Sequence, residues 1–493
     1  MKHFLKYSLL LSVLLTAAVL SACSAPADDA VETAGGTSAA QTEPAETEYV
    51  YPYPETGYGG EDFSILNMED IYNMMSTMER YEVTGEALND AIYNRNRLIE
   101  EKFDIALQET LVTDTWELKA VASEARTAIA AGDDEYDIMY IPMGGASPLI
   151  TEGCFLNLRE IDTIQFDKDW WNASFNDAIT IKNTLYGAVG SANYMVQEGI
   201  RLLAYNYSIL EDLGLEHPYD LVREGKWTMD AFNSYLTAAA SLRGDDSIAW
   251  NKDGNVAYGY SHNQTSMESF LFSCGEMMMK NQGDTLSFDC GSDRFYNVID
   301  KLAAVLTTED AKVFQGMAGD DMDPNEGGYL YAFKTQRALF SQSEVCKFQI
   351  FREFDFDFGI VPYPKYDEAQ ESYISNTWYG TTCVHIPVTS ADAEKTGHIL
   401  DALSYESEVS VIPVYREITV ENKGLRNEDS VEMLEIIANS LKPLYHSIFQ
   451  IGVSLVDQIS TSVWNNSGAA SAVASNQTSI ETELTKLLDA WFE

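Results

Sequence analysis

Residues 136–142 read YDIMYIP, a short apolar run closed by a proline. A run of this length, rich in Ile and Tyr, reads as a buried strand. Upstream, residues 115–132 read TWELKAVASEARTAIAAG, an alanine-rich helical pattern that Gly132 is placed to end. Before it, DIALQETL (104–111) reads as another strand. EALNDAIYNRNRLIEEKF (86–103) repeats apolar residues at three- and four-residue steps: Ala87, Leu88, Ile92, Leu98, Ile99 and Phe103. FSILNM (63–68) starts the series with an alternating strand pattern. The order β-α-β-α-β predicts an α/β layer with parallel strands and right-handed crossovers. Ligands of such sheets bind in loops at the carboxyl ends of strands. That rule nominates the loop after Met68, which begins with Glu69 and Asp70, and the loop MGGAS after Pro142. MGGAS lacks the lysine and glycine spacing of a P-loop.

A second run of similar texture follows. LYGAVGSANY (185–194) leads into RLLAYNYSIL (201–210), a strand and short helix closed by Gly214. In GKWTMDAFNSYLTAAASL (225–242), Thr228 is a good N-cap and Asp230 sits in the first turn, where the helix dipole favours an acid. Phe232, Tyr235, Leu236 and Ala239 form its apolar face. Later segments are RALFSQ (337–342), FDFGIVPYPKY (356–366), GTTCVHIPVTS (380–390) with the helix after it, and a helical end, TSIETELTKLLDAWF (478–492). No internal repeat of fixed period is visible.

The 493-residue chain carries 77 acidic and 31 basic residues, a formal charge of −46. Such a surface repels phosphate backbones, which excludes nucleic acid as a partner. It also excludes a polybasic grip on anionic lipid. Two readings remain: solubility outside the cell, or attraction of a cationic ligand. At the N-terminus, Lys2, His3 and Lys6 precede an uncharged stretch from Tyr7 to Leu20, too short to span a bilayer but suited to a signal-peptide core. Leu20, Ser21, Ala22 and Cys23 resemble the lipobox of bacterial lipoproteins, in which the cysteine is acylated and becomes the new N-terminus. An uncleaved anchor is the alternative. No Lys or Arg occurs between Lys6 and Arg80, and the segment from Ser24 to Gly60 reads as a disordered tether with a reach of about 35 Å. Five cysteines remain, Cys154, Cys274, Cys290, Cys346 and Cys383. They cannot all pair with one another, and a Cys274–Cys290 bridge stays open. No C-x-x-C occurs.

Three ordered blocks carry a wider likeness: YDIMYIP with LITEGCFLNLREID, then RLLAYNYSILEDLGLEHP with GKWTMDAF, then FDFGIVPYPK with CVHIPVTSADAEKTGHILDALS. Together, behind the lipobox and tether, they resemble family 1 extracellular solute-binding proteins, the receptors of bacterial ABC importers. The resemblance implies a two-lobed, periplasmic-binding-protein-like α/β fold (type II), each lobe a central sheet flanked by helices, closing on ligand by hinge motion. It implies a small-molecule solute, a sugar foremost, and a permease as partners, with no cofactor, no metal and a monomeric state. The implied division is signal peptide 1–22, lipidated Cys23 and tether 23–60, first lobe 61–189, second lobe 190–337, return to the first lobe 338–404 and a second-lobe helical end 405–493. Crossings are thus expected near Val189, Ala338 and Ser404. Residues 317–333, MAGDDMDPNEGGYLYAF, look inserted relative to shorter members.

A sugar cleft wants flat apolar faces and planar polar groups. Candidates at cleft-facing positions are Tyr140 and Met143 after a first-lobe strand, Glu69, and Tyr194 and Glu198 after the first crossing. Trp250, Tyr260, His262 and Asn263 come from the second lobe, and Ser341 and Gln342 from the expected return. Trp378 and Tyr379 stand in SNTWYG, just before an apolar strand. Trp227 and Trp491 are assigned to core. G-x-S-x-G and H-E-x-x-H are absent, so no catalytic set is assigned. A paired-carboxylate glycosidase on the cell surface, an adhesive lipoprotein, and a receptor for peptides or cations are the alternatives. Asp321, Asp323 and Asn325 match the first ligands of a calcium loop, but Glu326 and Ala332 break the EF-hand pattern. A solvated acidic loop or an irregular calcium site remains.

Overall fold

A computed structural model describes residues 49–492 except 72–73, 75–76, 116, 243–248, 252–253, 264, 307–311, 317–326, 419–424 and 426. The leader, Cys23, most of the tether and the acidic run from Asp321 to Glu326 lie outside the described residues. Strand β1 (Glu61–Met68) pairs in parallel with β2 (Ile105–Val112) and with β3 (Ile138–Pro142). The helices Ala87–Phe103 and Ala120–Ala131 connect them, as the β-α-β-α-β reading predicts. Helix Ala87–Phe103 turns Leu88, Ile92, Ile99 and Phe103 inward, each fully buried side chain contributing roughly 1.5–3 kcal/mol. Gly132 ends the second helix at φ 75°, a left-handed conformation that costs glycine little.

A fourth strand, β11 (Thr382–His385), adds antiparallel to β3 and completes the first sheet in the order β11-β3-β1-β2. The second sheet has five strands: β4 (Arg201–Asn206), β5 (Tyr258–His262), β8 (Val313–Gln315), β9 (Ala338–Glu344) and β10 (Phe358–Val361), in the order β10-β4-β9-β5-β8. A separate hairpin, β6 (Met279–Asn281) with β7 (Leu286–Phe288), projects between second-lobe helices. The fold is thus mixed α/β with two sheet-centred lobes. Trp227 and Trp491 are buried in the core.

Three boundaries differ from expectation. The first crossing falls at residues 199–201 instead of near Val189, because Ala188 still bridges to β11 and Tyr194 packs in a cluster with Leu88 and Ile92 of the first lobe. Ala338 opens β9, which pairs with β4 and β5 in the second sheet, and β10 follows in that same sheet. The chain therefore re-enters the first sheet only at Thr382. The apolar text RALFSQ would suit either sheet, because alternation does not say which neighbour a strand pairs with. The end of the chain is also not confined to one lobe. A π-helical stretch, Ser407–Val411, and the helix Ile412–Glu417 share a buried cluster with Leu88 and Ile92 of the first lobe. The helix Glu428–Asn439 then packs on β10 of the second. All five cysteines from Cys154 onward are free, so the Cys274–Cys290 bridge is not formed.

Candidate functional site

Two antiparallel connecting segments join the lobes. Ile200 bridges to Thr377, the Arg201 amide donates to the Asn376 carbonyl, and the Trp378 amide donates to the Gly199 carbonyl. The carboxyl end of β3 meets these segments directly, for the Met143 amide donates to the Thr381 carbonyl at 3.0 Å. On the other side, β5 ends at His262 and β9 at Glu344, whose partner in β4 is Arg201. The carboxyl ends of strands from both sheets thus converge on one seam.

Short side chains there allow close approach. A Cβ on Gly144 would lie 3.2 Å from Gln450 Nε2 and 3.8 Å from the Tyr379 ring, so both groups lie over this glycine. Trp378 and Tyr379 are half-buried, their rings 5.5 Å apart and tilted by 53°. Ser147 donates to the Phe449 carbonyl at 2.8 Å, which brings the helix Tyr445–Phe449 against the helix Met143–Thr151. The preceding His446 donates through Nε2 to Glu268 at 2.7 Å, and Arg201 donates to the other oxygen of Glu268 at 2.7 Å. Burial works to raise the Glu268 carboxyl, but His446 and Arg201 together hold it down at about 2.

A second group extends this seam. The rings of Tyr260, His262 and Trp464 stack nearly parallel, at 5.1 and 4.9 Å. His262 Nδ1 faces the Asn263 carbonyl and Ser266 Oγ. Burial pushes the imidazole down to about 4, so it is neutral at neutral pH with the proton on Nδ1. Among the described residues, His262 Nε2 and Trp464 Nε1 are buried without a hydrogen-bond partner. Gln342 positions the neighbouring loop, accepting from the Asn263 amide and donating to Thr265.

The structure brings Met143, His262, Asn263, Gln342, Trp378 and Tyr379 to the seam or its edge. Glu198 is buried just before Gly199 in the first connecting segment. Glu69 is exposed after β1, bound by Thr113 from the loop after β2. Tyr194 packs its ring 5.0 Å from Tyr415, inside the first lobe. Tyr140 is buried in that lobe, and Tyr260 and Ser341 lie fully buried in mid-sheet. Trp250 is a correction. It stacks on Phe314 and beneath Arg337, the residue before β9, so it stands at the amino end of strands whose carboxyl ends make the seam. Gly144 stands in the nominated segment MGGAS, but sequence reading missed Arg201, Glu268, His446, Gln450 and Trp464. The one local signal among them was an arginine opening an otherwise apolar strand.

A separate cavity of about 750 Å3 also lies between the lobes. Trp171, Ser191, Gln197, Glu408 and Tyr415 line it from the first lobe and connecting segment, and Leu434 and Ala438 from the second. Of the residues named above, it shares Ile200 of the connecting segment and Tyr415. Its first-lobe wall is built from helices and loops instead of from the ends of β1, β2 and β3.

No protein-family model matches the sequence, and no curated protein matches it. Solved structures do. The galacto-N-biose/lacto-N-biose I-binding protein of a Bifidobacterium longum ABC transporter, in complex with lacto-N-biose, superposes with a TM-score of 0.55 at 10% identity, over 88% of this chain and 98% of that one. The fold is that of the extracellular solute-binding proteins. A family 1 extracellular solute-binding protein from Bifidobacterium longum subsp. infantis matches this solute-binding fold at 0.52 and 14% identity, over 88% of this chain and 100% of that one. UgpB from Mycobacterium tuberculosis, in complex with glycerophosphocholine, matches at 0.55 and 12%, over 87% and 99%. Among the described residues no helix is long and apolar enough to cross a membrane, and no group of three or more His, Cys, Asp or Glu is placed to hold a metal ion.

Proposed function

We propose that this chain is an extracytoplasmic solute-binding protein, anchored by lipid on Cys23, that captures a small polar solute and delivers it to the permease of an ABC importer. The observation that carries this reading is the convergence of strand carboxyl ends from both lobes on the connecting segments, with half-buried aromatic faces beside them. Trp378, Tyr379 and Trp464 offer flat surfaces to the C–H face of a sugar, and Asn263 and Gln450 offer polar groups to its hydroxyls. A mono- or oligosaccharide is the solute class that suits this lining. The chain's charge of −46 favours a second reading, a cationic solute.

Tryptophan fluorescence and thermal shift, run against panels of sugars, glycerophosphodiesters, peptides and amines, test the proposal. A saturable response to a sugar without product supports it. An amine or peptide ligand moves the assignment to the second reading, product formation replaces it with a hydrolase, and silence across all panels removes it.

A further inference from the structure

Beyond the connecting segments, the lobes touch through two tight turns that face each other. In the first lobe, Ile181 bridges to Thr184, and the two residues between them, Lys182 and Asn183, adopt φ 48° and 60°. This region suits asparagine, but a lysine enters it at a cost of about 1 kcal/mol or more. In the second lobe, the β6–β7 hairpin turns through Gly283 at φ 87°. The strained Lys182 amide points at this hairpin and donates to the Gly283 carbonyl at 2.7 Å. Asn281 Nδ2 reaches back and forks to the carbonyls of Ala178 and Thr180, at 2.7 and 2.8 Å. Tyr445 donates to the same Ala178 carbonyl at 3.1 Å. The C-terminal helix, Ala469–Phe492, covers the junction. The Lys182 ammonium lies 4.0 Å from the centre of the Phe492 ring, and Tyr186 donates to the Trp491 carbonyl at 3.0 Å.

We propose that the β6–β7 hairpin is a strap that holds the two lobes together before any solute binds. The Lys182–Gly283 bond and the two Asn281 bonds all join residues 178–182 of the first lobe to the hairpin, so these three break together when the hairpin parts from that segment. A neutral hydrogen bond nets only about 1 kcal/mol, so the strap biases the equilibrium without locking it. A strapped protein keeps a substantial closed population when empty, and its solute then binds against a smaller conformational cost. The proposal rests on the lobes moving about their connecting segments, but its test needs no ligand, so it can fail while solute binding stands.

The test compares ligand-free wild type with Asn281→Asp, which turns the forked donor into a charged acceptor facing two carbonyls, and with Lys182→Ala, a change at an exposed side chain. Small-angle scattering reads the lobe separation, and hydrogen exchange reads the Lys182 amide. The expected result is a wild type as compact as described here with a protected Lys182 amide. Asn281→Asp should show a larger radius of gyration and at least roughly tenfold faster exchange at Lys182. Lys182→Ala should shift both in the same direction by less. Unchanged compactness and exchange in both variants would overturn the strap and make the contact permanent packing. An open, unprotected wild type would overturn it as well.

Discussion

Glu268 accepts from a histidine and an arginine at once, and those two partners come from distant parts of the chain, Arg201 and His446. Because the folded protein holds this carboxyl at about 2, below its unfolded value, it binds protons less readily when folded. Its stabilising contribution is therefore complete above about pH 4.5 and is lost as pH falls towards 2. Glu268→Gln leaves the Arg201 guanidinium buried beside a neutral group, at a cost of about 3–5 kcal/mol near neutral pH. Melting curves of the two proteins should differ most at pH 6–8 and converge only as pH falls to about 2; a constant difference across pH would refute the ionic account. Nothing in the local sequence around Glu268 announces this set, since its three members are gathered only by the fold. Trp378 and Tyr379 were legible for the opposite reason: they adjoin an apolar strand, so their position at its start followed from local pattern alone. Trp250 misled because its neighbours do not tell which end of the strands it will flank.

Most elements could be read from periodicity. The first-lobe strands and helices, the Thr228 cap accepting from the Ala231 amide, and the Gly132 stop all follow from residues next to one another. Strand pairing does not, which is why β9 and β10 were assigned to the wrong lobe. Capping also sets the energetics of the helix Asp293–Val305, which carries the β6–β7 hairpin at its start. Ser292 accepts from the Phe295 amide at 3.0 Å, and Asp293 adds an acid to the first turn. Ser292→Ala should cost about 1 kcal/mol and Ser292→Asp much less, read as shifts in the urea midpoint at constant slope. Equal losses for both would mean that the hydroxyl acts elsewhere.

At the scale of the molecule, −46 charges repel one another across the surface. Salt screens that repulsion, so the melting temperature should rise by about a few degrees between 10 mM and 150 mM NaCl. A fall over that range would mean that surface ion pairs such as Arg223 with Asp429 and Glu432 outweigh the repulsion. The late arrival of β11 has a consequence for how the chain is made. β1 and β3 belong to the first 142 residues, but β11, which covers the free side of β3, begins only at Thr382. Until the ribosome has passed that point, β3 presents a bare, uncharged edge to every other nascent chain nearby, the kind of edge that recruits foreign strands. A contact spanning some 240 residues is also slow to form. The growing polypeptide is therefore expected to be more prone to aggregation before Thr382 is made than after it.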